Sequence, residues 1–386
     1  MSAREISPGV VVRLVSLSIQ RHVPLNVHFD ITYRCNERCI HCYLDHEDHG
    51  EMTTAEIKSV LDQLKGAGTL FLTFSGGEIF VRDDCFELLE YAHKLHFDLT
   101  IKTNGLGTDA VRAQRLRQLG VRRVQLSVYS ADAAVHDEIT KVKGSFVRTI
   151  AAVKHFKEAG LVVKIACPLM PQNTGGYRDF MKLAHDLDVH YTMDPTITGK
   201  LDGDMSLLTL RQPMNELVEI LKDPELRPND CDDSSMDLAE GLSESYHDIP
   251  CSAGHNNVYI SPYGEVWPCI QLPVAAGNLR KQRFEDIWYG SPALRRVREA
   301  RDSEVPVCST CSIRQYCERC PGLALSEQGD LNGPSERACQ LAEMKAQLAR
   351  VENPVSAFHL LELRGSAAQE RRQPSASLVK ITPLRA

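Results

Sequence analysis

Three cysteines lie close together near the start of the chain, in the segment at residues 30–43, which reads DITYRCNERCIHCY. Their C-x3-C-x2-C spacing allows Cys35, Cys39 and Cys42 to bind three irons of a 4Fe–4S cube as thiolates. The fourth iron then has no protein ligand and is open to a small molecule that binds through nitrogen and oxygen. A structural zinc ion is the alternative, and it would take His41 as its fourth ligand.

This motif follows an apolar stretch at residues 25–31 and resembles the radical S-adenosylmethionine superfamily. The resemblance implies that the open iron chelates the amino and carboxylate groups of S-adenosylmethionine. It also implies that the reduced cluster cleaves the sulfonium, and that the 5′-deoxyadenosyl radical abstracts a hydrogen atom from the substrate. Since glycines let backbone approach a ligand closely, the Gly76-Gly77 turn after a short apolar strand matches the family's contact to the methionine amino group.

A tight strand-to-helix turn is the alternative interpretation of that segment. The full set of residues that the resemblance assigns to cofactor binding is Tyr43, Ser75, Gly76, Gly77, Glu78, Asn104 and Ser127. One position departs from the family: many members have Asp-Gly after the serine of the fourth strand, and this chain has Tyr129-Ser130.

A second group of cysteines occupies the last third of the chain. Its members are Cys251, Cys269, Cys308, Cys311, Cys317, Cys320 and Cys339. The pattern resembles the SPASM extension of radical S-adenosylmethionine enzymes, although its last internal spacing is two residues where many members have three.

The resemblance implies two auxiliary 4Fe–4S clusters, so that the chain holds three clusters in all. The outer cluster takes Cys308, Cys311, Cys317 and Cys339 as ligands, and the inner cluster takes Cys251, Cys269 and Cys320. The fourth iron of the inner cluster is open, or bound by a non-cysteine group, or bound by Cys231. Paired zinc ribbons and one cluster in a shortened domain are the alternatives.

Strand and helix patterns alternate six times between residues 25 and 194, and Thr53 with Glu56 forms a capping box at the start of one helix. Alternation with short connections predicts an α/β fold with a parallel sheet. The pattern alone permits a doubly wound sheet. The resemblance selects a partial (β/α)6 TIM-like barrel followed by a small cysteine-rich SPASM domain, with the chemistry at the carboxyl ends of the strands.

The expected domain boundaries follow from these motifs and from a polar stretch near residue 230. We assign residues 1–24 to an N-terminal extension, 25–222 to the barrel, 223–250 to a linker, 251–345 to the SPASM domain and 346–386 to a helix and mobile tail. A hairpin with its turn at Gly264 brings Cys251 near Cys269.

Carboxylates at the mouth of the barrel are candidates for substrate binding or for proton transfer. Asp194 at the end of the sixth strand is the candidate catalytic residue, with Asp202 and Asp204 in the loop that follows. An Asp-Pro turn and a solvated loop are the alternatives. The pattern does not decide whether His28 faces into or out of the barrel.

Composition narrows the class of protein. The 386 residues carry a net charge of −7, so the basic footprint of a nucleic-acid-binding protein is absent. Because no apolar run approaches the ~20 residues of a membrane span and no signal peptide precedes the thirteen cysteines, we expect a cytoplasmic protein whose cysteines bind metal.

The expected function is oxidative modification of a ribosomally synthesised peptide or protein, since most SPASM relatives are maturases of this kind. Tetrapyrrole side-chain modification is the alternative within the superfamily, and a non-catalytic iron–sulfur electron carrier is the alternative outside it. The expected partners are the peptide substrate, a reductant such as flavodoxin or ferredoxin, and a separate peptide-recognition protein, because only 24 residues precede the first strand.

Overall fold

The computed structural model describes residues 8–223, 248–352 and 363–365. The barrel section contains α1 Pro8–Gln20, β1 Asn26–Thr32, α2 Thr54–Gly66, β2 Phe71–Gly76, α3 Cys85–Lys94, β3 Asp98–Thr103, α4 Ala110–Gln118, β4 Val121–Ser127, α5 Ala133–Thr140, α6 Ser145–Glu158, β5 Val162–Pro168, α7 Tyr177–Leu187, β6 His190–Asp194 and α8 Met214–Leu221. The rest contains β7 Asn257–Ile260, β8 Glu265–Trp267, β9 Gly277–Asn278, α9 Phe284–Gly290, α10 Pro292–Glu299, α11 Pro306–Ser309, α12 Pro321–Gln328, α13 Glu336–Glu352 and β10 Leu363–Gly365. Most of the predicted linker, with Cys231, and the predicted tail lie outside the described residues.

The strands form one ten-stranded sheet in the order β10-β6-β5-β4-β3-β2-β1-β7-β8-β9. Strands β1 to β6 are parallel and stand in sequence order. A doubly wound sheet would reverse its strand order at a switch point, so this order excludes that alternative. The predicted partial barrel is confirmed, and β10 pairs antiparallel with the outer edge of β6.

The two faces of this partial barrel have opposite polarity. In β1, Val27, Phe29 and Ile31 belong to the hydrophobic core that includes helix residues such as Ile57 of α2. The alternate residue His28 belongs to the other face, which is the inside of the partial barrel. A closed TIM barrel fills its interior with layers of branched apolar side chains. Here the inner face is polar, as expected for a cavity that binds a polar ligand.

The C-terminal section continues the same sheet and the same core. Strand β7 pairs parallel with β1, with Asn257 opposite Asn26, and β7 and β8 form the predicted antiparallel hairpin. Val258 of β7 and Trp288 of α9 are part of the core cluster that the barrel strands build. The indole N–H of Trp288 donates to the carbonyl of His22, just after α1. The two sections are therefore one folded unit in packing terms.

Two helices differ from the sequence prediction. Helix α5 was not predicted, although Asp132 caps it through the backbone N–H groups of Ala134 and Val135. The sequence pattern also predicts a helix at residues 210–221, but α8 begins at Met214, because Pro213 stands at its N-cap with φ −57° and ψ 141°, outside the helical region. No helix among the described residues is long and apolar enough to cross a membrane.

The shared core predicts that barrel and C-terminal section unfold together. Trp288→Ala removes a fully buried indole and should lower the free energy of unfolding by about 3–5 kcal/mol. Anaerobic urea unfolding of the wild type, followed by circular dichroism and by tryptophan fluorescence, should give coincident curves. The control Val307→Ala, at a 64% exposed side chain, should change stability by less than about 0.5 kcal/mol. Two separate transitions in the wild type would contradict this account.

Candidate active site

The loop that carries the first cysteine motif leaves β1 at its carboxyl end. Cys35, Cys39 and Cys42 all lie in it, and none of the three forms a disulfide. The loop is tied down by backbone hydrogen bonds to α5: the N–H of Arg38 donates to the carbonyl of Thr140 at 3.1 Å, and a second bond joins residue 40 to residue 139 at 3.0 Å. The unpredicted helix α5 therefore positions the cysteine loop.

The three thiols are partly enclosed by protein. Burial raises the pKa of Cys35 to about 12 and that of Cys42 to about 11, and it also raises the pKa of Cys39. The thiolate is the metal ligand, so metal loading must release protons here.

The donor set of three thiolates fits an iron–sulfur cube. Among the described residues, no three His, Cys, Asp or Glu side chains stand in an arrangement that would hold one metal ion. A cube spreads its thiolates over separate irons, so it does not need the three sulfurs of Cys35, Cys39 and Cys42 around one point. That these cysteines hold such a cube stays a prediction.

The Gly-Gly turn after β2 packs directly on the start of the cysteine loop. The N–H of Gly77 donates to the carbonyl of Thr32 at 2.9 Å, and the N–H of Glu78 donates to the carbonyl of Arg34 at 2.9 Å. Gly76 has φ +136°, and a Cβ there would lie 2.0 Å from the Thr32 oxygen. The glycines are thus required by backbone packing, whatever they contribute to ligand binding.

Glu78 joins the ends of β2 and β3. Its carboxylate is buried and accepts hydrogen bonds from the hydroxyl of Thr103 at 2.8 Å, from the N–H of Asn104 at 2.7 Å and from the N–H of Phe80 at 3.1 Å. Burial raises the pKa of Glu78, while these hydrogen bonds oppose the rise. The side chain fixes where Asn104 stands.

The other predicted cofactor-binding residues also surround the cysteine loop. The side-chain amide of Asn104 donates to the Asn36 oxygen at 2.6 Å and lies 3.9 Å from the Cys35 sulfur. The hydroxyl of Ser127 is hydrogen-bonded to that of Tyr129. Tyr43 packs beside Tyr129 in a small apolar cluster. The structure brings these residues together, and their binding of S-adenosylmethionine stays a prediction.

Tyr129 is a site residue that the sequence prediction missed. Its hydroxyl lies 3.6 Å from the Cys39 sulfur, and its ring packs edge-on against His41 with centroids 4.8 Å apart and stacks on His136 of α5. Burial lowers the pKa of His41 to about 4. The only sequence signal was that Tyr129-Ser130 replaces the family's Asp-Gly.

The three candidate acidic residues, Asp194, Asp202 and Asp204, take part in hydrogen bonds that are typical of turns. Asp194 accepts a hydrogen bond from the N–H of Thr196 at 2.8 Å, and it attracts the buried guanidinium of Arg337 from α13. Asp204 pairs with Lys200 at 2.8 Å, which lowers the pKa of Asp204 to about 2. Asp202 accepts from the N–H of Asp204 at 2.9 Å. A catalytic role for Asp194 stays a prediction.

His28 faces into the partial barrel and begins a chain of buried polar groups. Its Nε2 lies 3.0 Å from Oδ1 of Asp30, and Oδ2 of Asp30 accepts a hydrogen bond from the Tyr259 hydroxyl at 2.9 Å. The hydroxyls of Tyr259 and Tyr33 are 2.7 Å apart. Strand β7 of the C-terminal section thus contributes to the inner face of the barrel.

The three cysteines assigned to the inner auxiliary site line one small cavity, together with Gln271. Cys251 and Cys269 come from either side of the predicted hairpin, and Cys320 precedes α12. A Cβ at Gly322 would lie 2.0 Å from the Gln271 carbonyl oxygen, so this glycine lets the start of α12 approach the segment after Cys269.

Some of the cysteines assigned to the outer auxiliary cluster also lie close together. The N–H of Cys311 donates to the carbonyl of Cys308 at 3.2 Å. Burial raises the pKa of Cys339 on α13, and repulsion from Cys308 and Cys311 adds to the rise. Three of the four predicted outer ligands are therefore neighbours.

Known proteins share both sections of the chain. Residues 29–184 match the model of the radical SAM superfamily, and residues 251–312 match an iron–sulfur cluster-binding domain, SPASM. An AdoMet-dependent heme synthase of Methanosarcina barkeri is 27% identical over 80% of this chain and 94% of its own. The antilisterial bacteriocin subtilosin biosynthesis protein AlbA of Bacillus subtilis is 28% identical over 77% of this chain and 67% of its own.

The fold has solved counterparts. Streptococcus suis SuiB bound to precursor peptide SuiA superposes with a TM-score of 0.61 at 19% identity, covering 88% of this chain and 84% of that one. This likeness is one of fold. Partial barrel, cysteine loop and second cysteine group together define an iron–sulfur enzyme. The chain belongs to the radical S-adenosylmethionine superfamily and carries a SPASM domain.

The close packing of the Gly-Gly turn predicts that Gly76→Ala is strongly destabilising. The substitution places a methyl group on the Thr32 carbonyl at a φ that L-residues rarely adopt, which should reduce the free energy of unfolding by about 2–5 kcal/mol. Chemical denaturation measures this loss. The control Gly66→Ala lies at the end of α2 with open space around its Cβ and should be neutral or stabilising by up to about 1 kcal/mol. Equal stability of the two variants would refute the packing role of Gly76.

Proposed function

We propose that this enzyme oxidatively modifies a ribosomally synthesised peptide or protein substrate by radical chemistry. The proposal rests on one observation at the mouth of the barrel. The three-cysteine loop is hydrogen-bonded to the Gly-Gly-Glu turn, and both lie above a polar inner face. The relative AlbA is named as a biosynthesis protein of the bacteriocin subtilosin, other relatives are named mycofactocin maturases, and SuiB has been solved with its precursor peptide.

Residues around the cysteine loop would bind the first cluster, exclude water and orient the cofactor. Cys35, Cys39 and Cys42 would hold the first cluster, and S-adenosylmethionine bound there supplies the 5′-deoxyadenosyl radical that abstracts a substrate hydrogen atom. The buried ring of Tyr129 and the half-buried ring of Tyr43 would exclude water from the loop. The backbone turn at Gly77 and the amide of Asn104 would orient the cofactor beside Cys35.

The C-terminal cysteines would hold two further 4Fe–4S clusters that accept the electron left after hydrogen abstraction. In support, Cys251, Cys269 and Cys320 share a cavity next to strand β7, whose Tyr259 reaches the inner face of the barrel. We further propose a flavodoxin- or ferredoxin-type reductant for the first cluster and a separate protein for peptide recognition.

Tetrapyrrole modification is the second candidate function. The observation in its favour is the similarity to AdoMet-dependent heme synthases, one of which this chain matches over 94% of that protein's length. Incubation with candidate precursor peptides and with iron porphyrins bearing carboxylate side chains, followed by mass spectrometry, separates the two. A mass change in the porphyrin alone would select this second function.

The first test of the proposal is cofactor cleavage. Anaerobically reconstituted protein with dithionite should convert S-adenosylmethionine to 5′-deoxyadenosine and methionine, as measured by chromatography. Replacing Cys35, Cys39 and Cys42 by Ala should abolish this product. The control Cys85→Ala removes a buried thiol outside the motif and should keep cleavage. An electron carrier would produce no 5′-deoxyadenosine, and turnover in the triple variant would end the hypothesis.

The second test separates the two cysteine regions. Cys311→Ala removes a proposed outer ligand and should stop product formation while uncoupled S-adenosylmethionine cleavage continues. Metal binding supplies folding free energy, so circular dichroism and the iron content of the first cluster are measured on the same sample. A folded Cys311→Ala protein that forms product at the normal rate would show that the outer cluster is structural.

A further inference from the structure

The inner face of the partial barrel carries a lysine at the level of Asp30. The sheet register pairs Asp30 with Ser75 and Phe74 with Ile101, so Lys102 of β3 stands level with Asp30, two strands away. Its neighbours Ile101 and Leu99 belong to the helix-side core, which places Lys102 on the inner face. Asp30 from β1 and Cys269 from the C-terminal section are the negative groups that act on its ammonium.

Lys102 has unused hydrogen-bonding capacity. Within residues 8–223, 248–352 and 363–365, its ammonium makes no hydrogen bond and no ion pair, while both oxygens of Asp30 are taken by His28 and Tyr259. Burial lowers the pKa of Lys102 to about 8, yet part of its surface remains accessible. An interior cation without a partner is costly, and an accessible one at a cavity wall is suited to an anionic ligand.

We propose that the inner face binds a carboxylate of the substrate, with the ammonium of Lys102 as its ion-pair partner. The inference rests on the proposed function, so this carboxylate is the C-terminus or an acidic side chain of the peptide. The chain of His28, Asp30, Tyr259 and Tyr33 satisfies Asp30 internally and leaves the three N–H donors of Lys102 for the ligand. A carboxylate matches both the charge and the donors, whereas a neutral amide matches only the donors.

The position of Lys102 favours the substrate over the cofactor. Asn104, two residues further along, is the β3-side residue that touches the cysteine loop. Lys102 lies one inward-facing position deeper, where Cys269 of the inner auxiliary site acts on it. A group bound by Lys102 therefore lies between the loop of the first cluster and the inner cysteine cavity. A substrate that reacts at the first cluster and passes an electron to the inner one would bind in this position.

The test uses reconstituted holoenzyme with S-adenosylmethionine and two matched pairs of peptide probes, observed by saturation-transfer NMR. The first pair is N-acetylphenylalanine and its amide, and the second is N-acetyl-Phe-Glu-amide and N-acetyl-Phe-Gln-amide. In the wild-type enzyme, at least one carboxylate probe should bind about tenfold more tightly than its neutral match, because a charged hydrogen bond is lost in the neutral one. The pair that shows the preference identifies the C-terminal or the side-chain carboxylate.

Variants assign the preference to the lysine. It should disappear in Lys102→Met and in Lys102→Gln, return in part in Lys102→Arg, and persist in the surface control Lys94→Met, whose side chain is 67% exposed. Iron content and circular dichroism identify the variants that are folded and loaded. Equal binding of acid and amide by the wild type, or a preference that survives both neutral variants, would overturn the proposal.

Two further readouts separate the alternatives. The KM for S-adenosylmethionine should change by less than about twofold in Lys102→Met. If Lys102 paired with the cofactor's own carboxylate, this substitution would raise that KM about tenfold or more. Such a rise in KM, with the carboxylate preference of the probes intact, would assign Lys102 to the cofactor and contradict the inference. Release of 5′-deoxyadenosine is measured in the same samples. Cleavage without any carboxylate preference would refute only the role of Lys102, and absence of cleavage would refute the proposed function.

Discussion

The site depends on one close backbone contact, where the turn after β2 meets the start of the cysteine loop after β1. Two hydrogen bonds join Gly77 to Thr32 and Glu78 to Arg34, and there is no space for a Cβ at Gly76. Because Glu78 also binds Thr103 and Asn104, the same contact sets the end of β3. The carboxyl ends of β1, β2 and β3 and the cysteine loop are therefore joined to one another. The loop that carries the cysteines is held mainly by backbone contacts and less by contacts of the cysteine side chains.

A second constraint is the continuity of the sheet across the two sections. Pairing of β7 with β1 places Tyr259 on the inner face beside Asp30, and the following hairpin carries Cys269 back toward that face. The polar interior, the first cysteine loop and the inner cysteine cavity are thus parts of one folded unit. An enzyme that abstracts a hydrogen atom and then removes an electron needs both centres to reach one substrate, and Tyr259 of the C-terminal section lies on the same inner face as Asp30.

Local features were predictable from sequence, and contacts between distant segments were not. The sequence pattern alone predicts a strand at residues 98–103 and a helix at 177–187, which are the limits of β3 and α7. The predicted capping box of Thr53 and Glu56 also forms, since all three features depend on neighbouring residues. The inward orientation of His28 required knowing which face the helices cover. The roles of Tyr129 and Lys102 depend on groups from other strands, and the gathering of Cys320 with Cys251 depends on the approach of Gly322 to Gln271.

We propose that one continuous fold holds three separate iron–sulfur sites, of which only the first makes the radical. Iron and sulfide analysis with Mössbauer spectroscopy of anaerobically reconstituted protein tests it most directly. We expect about twelve irons per chain in 4Fe–4S clusters, and about eight when Cys251, Cys269 and Cys320 are replaced together. Zinc in the C-terminal section of protein made with adequate iron, or about four irons per chain in the wild type, would contradict it.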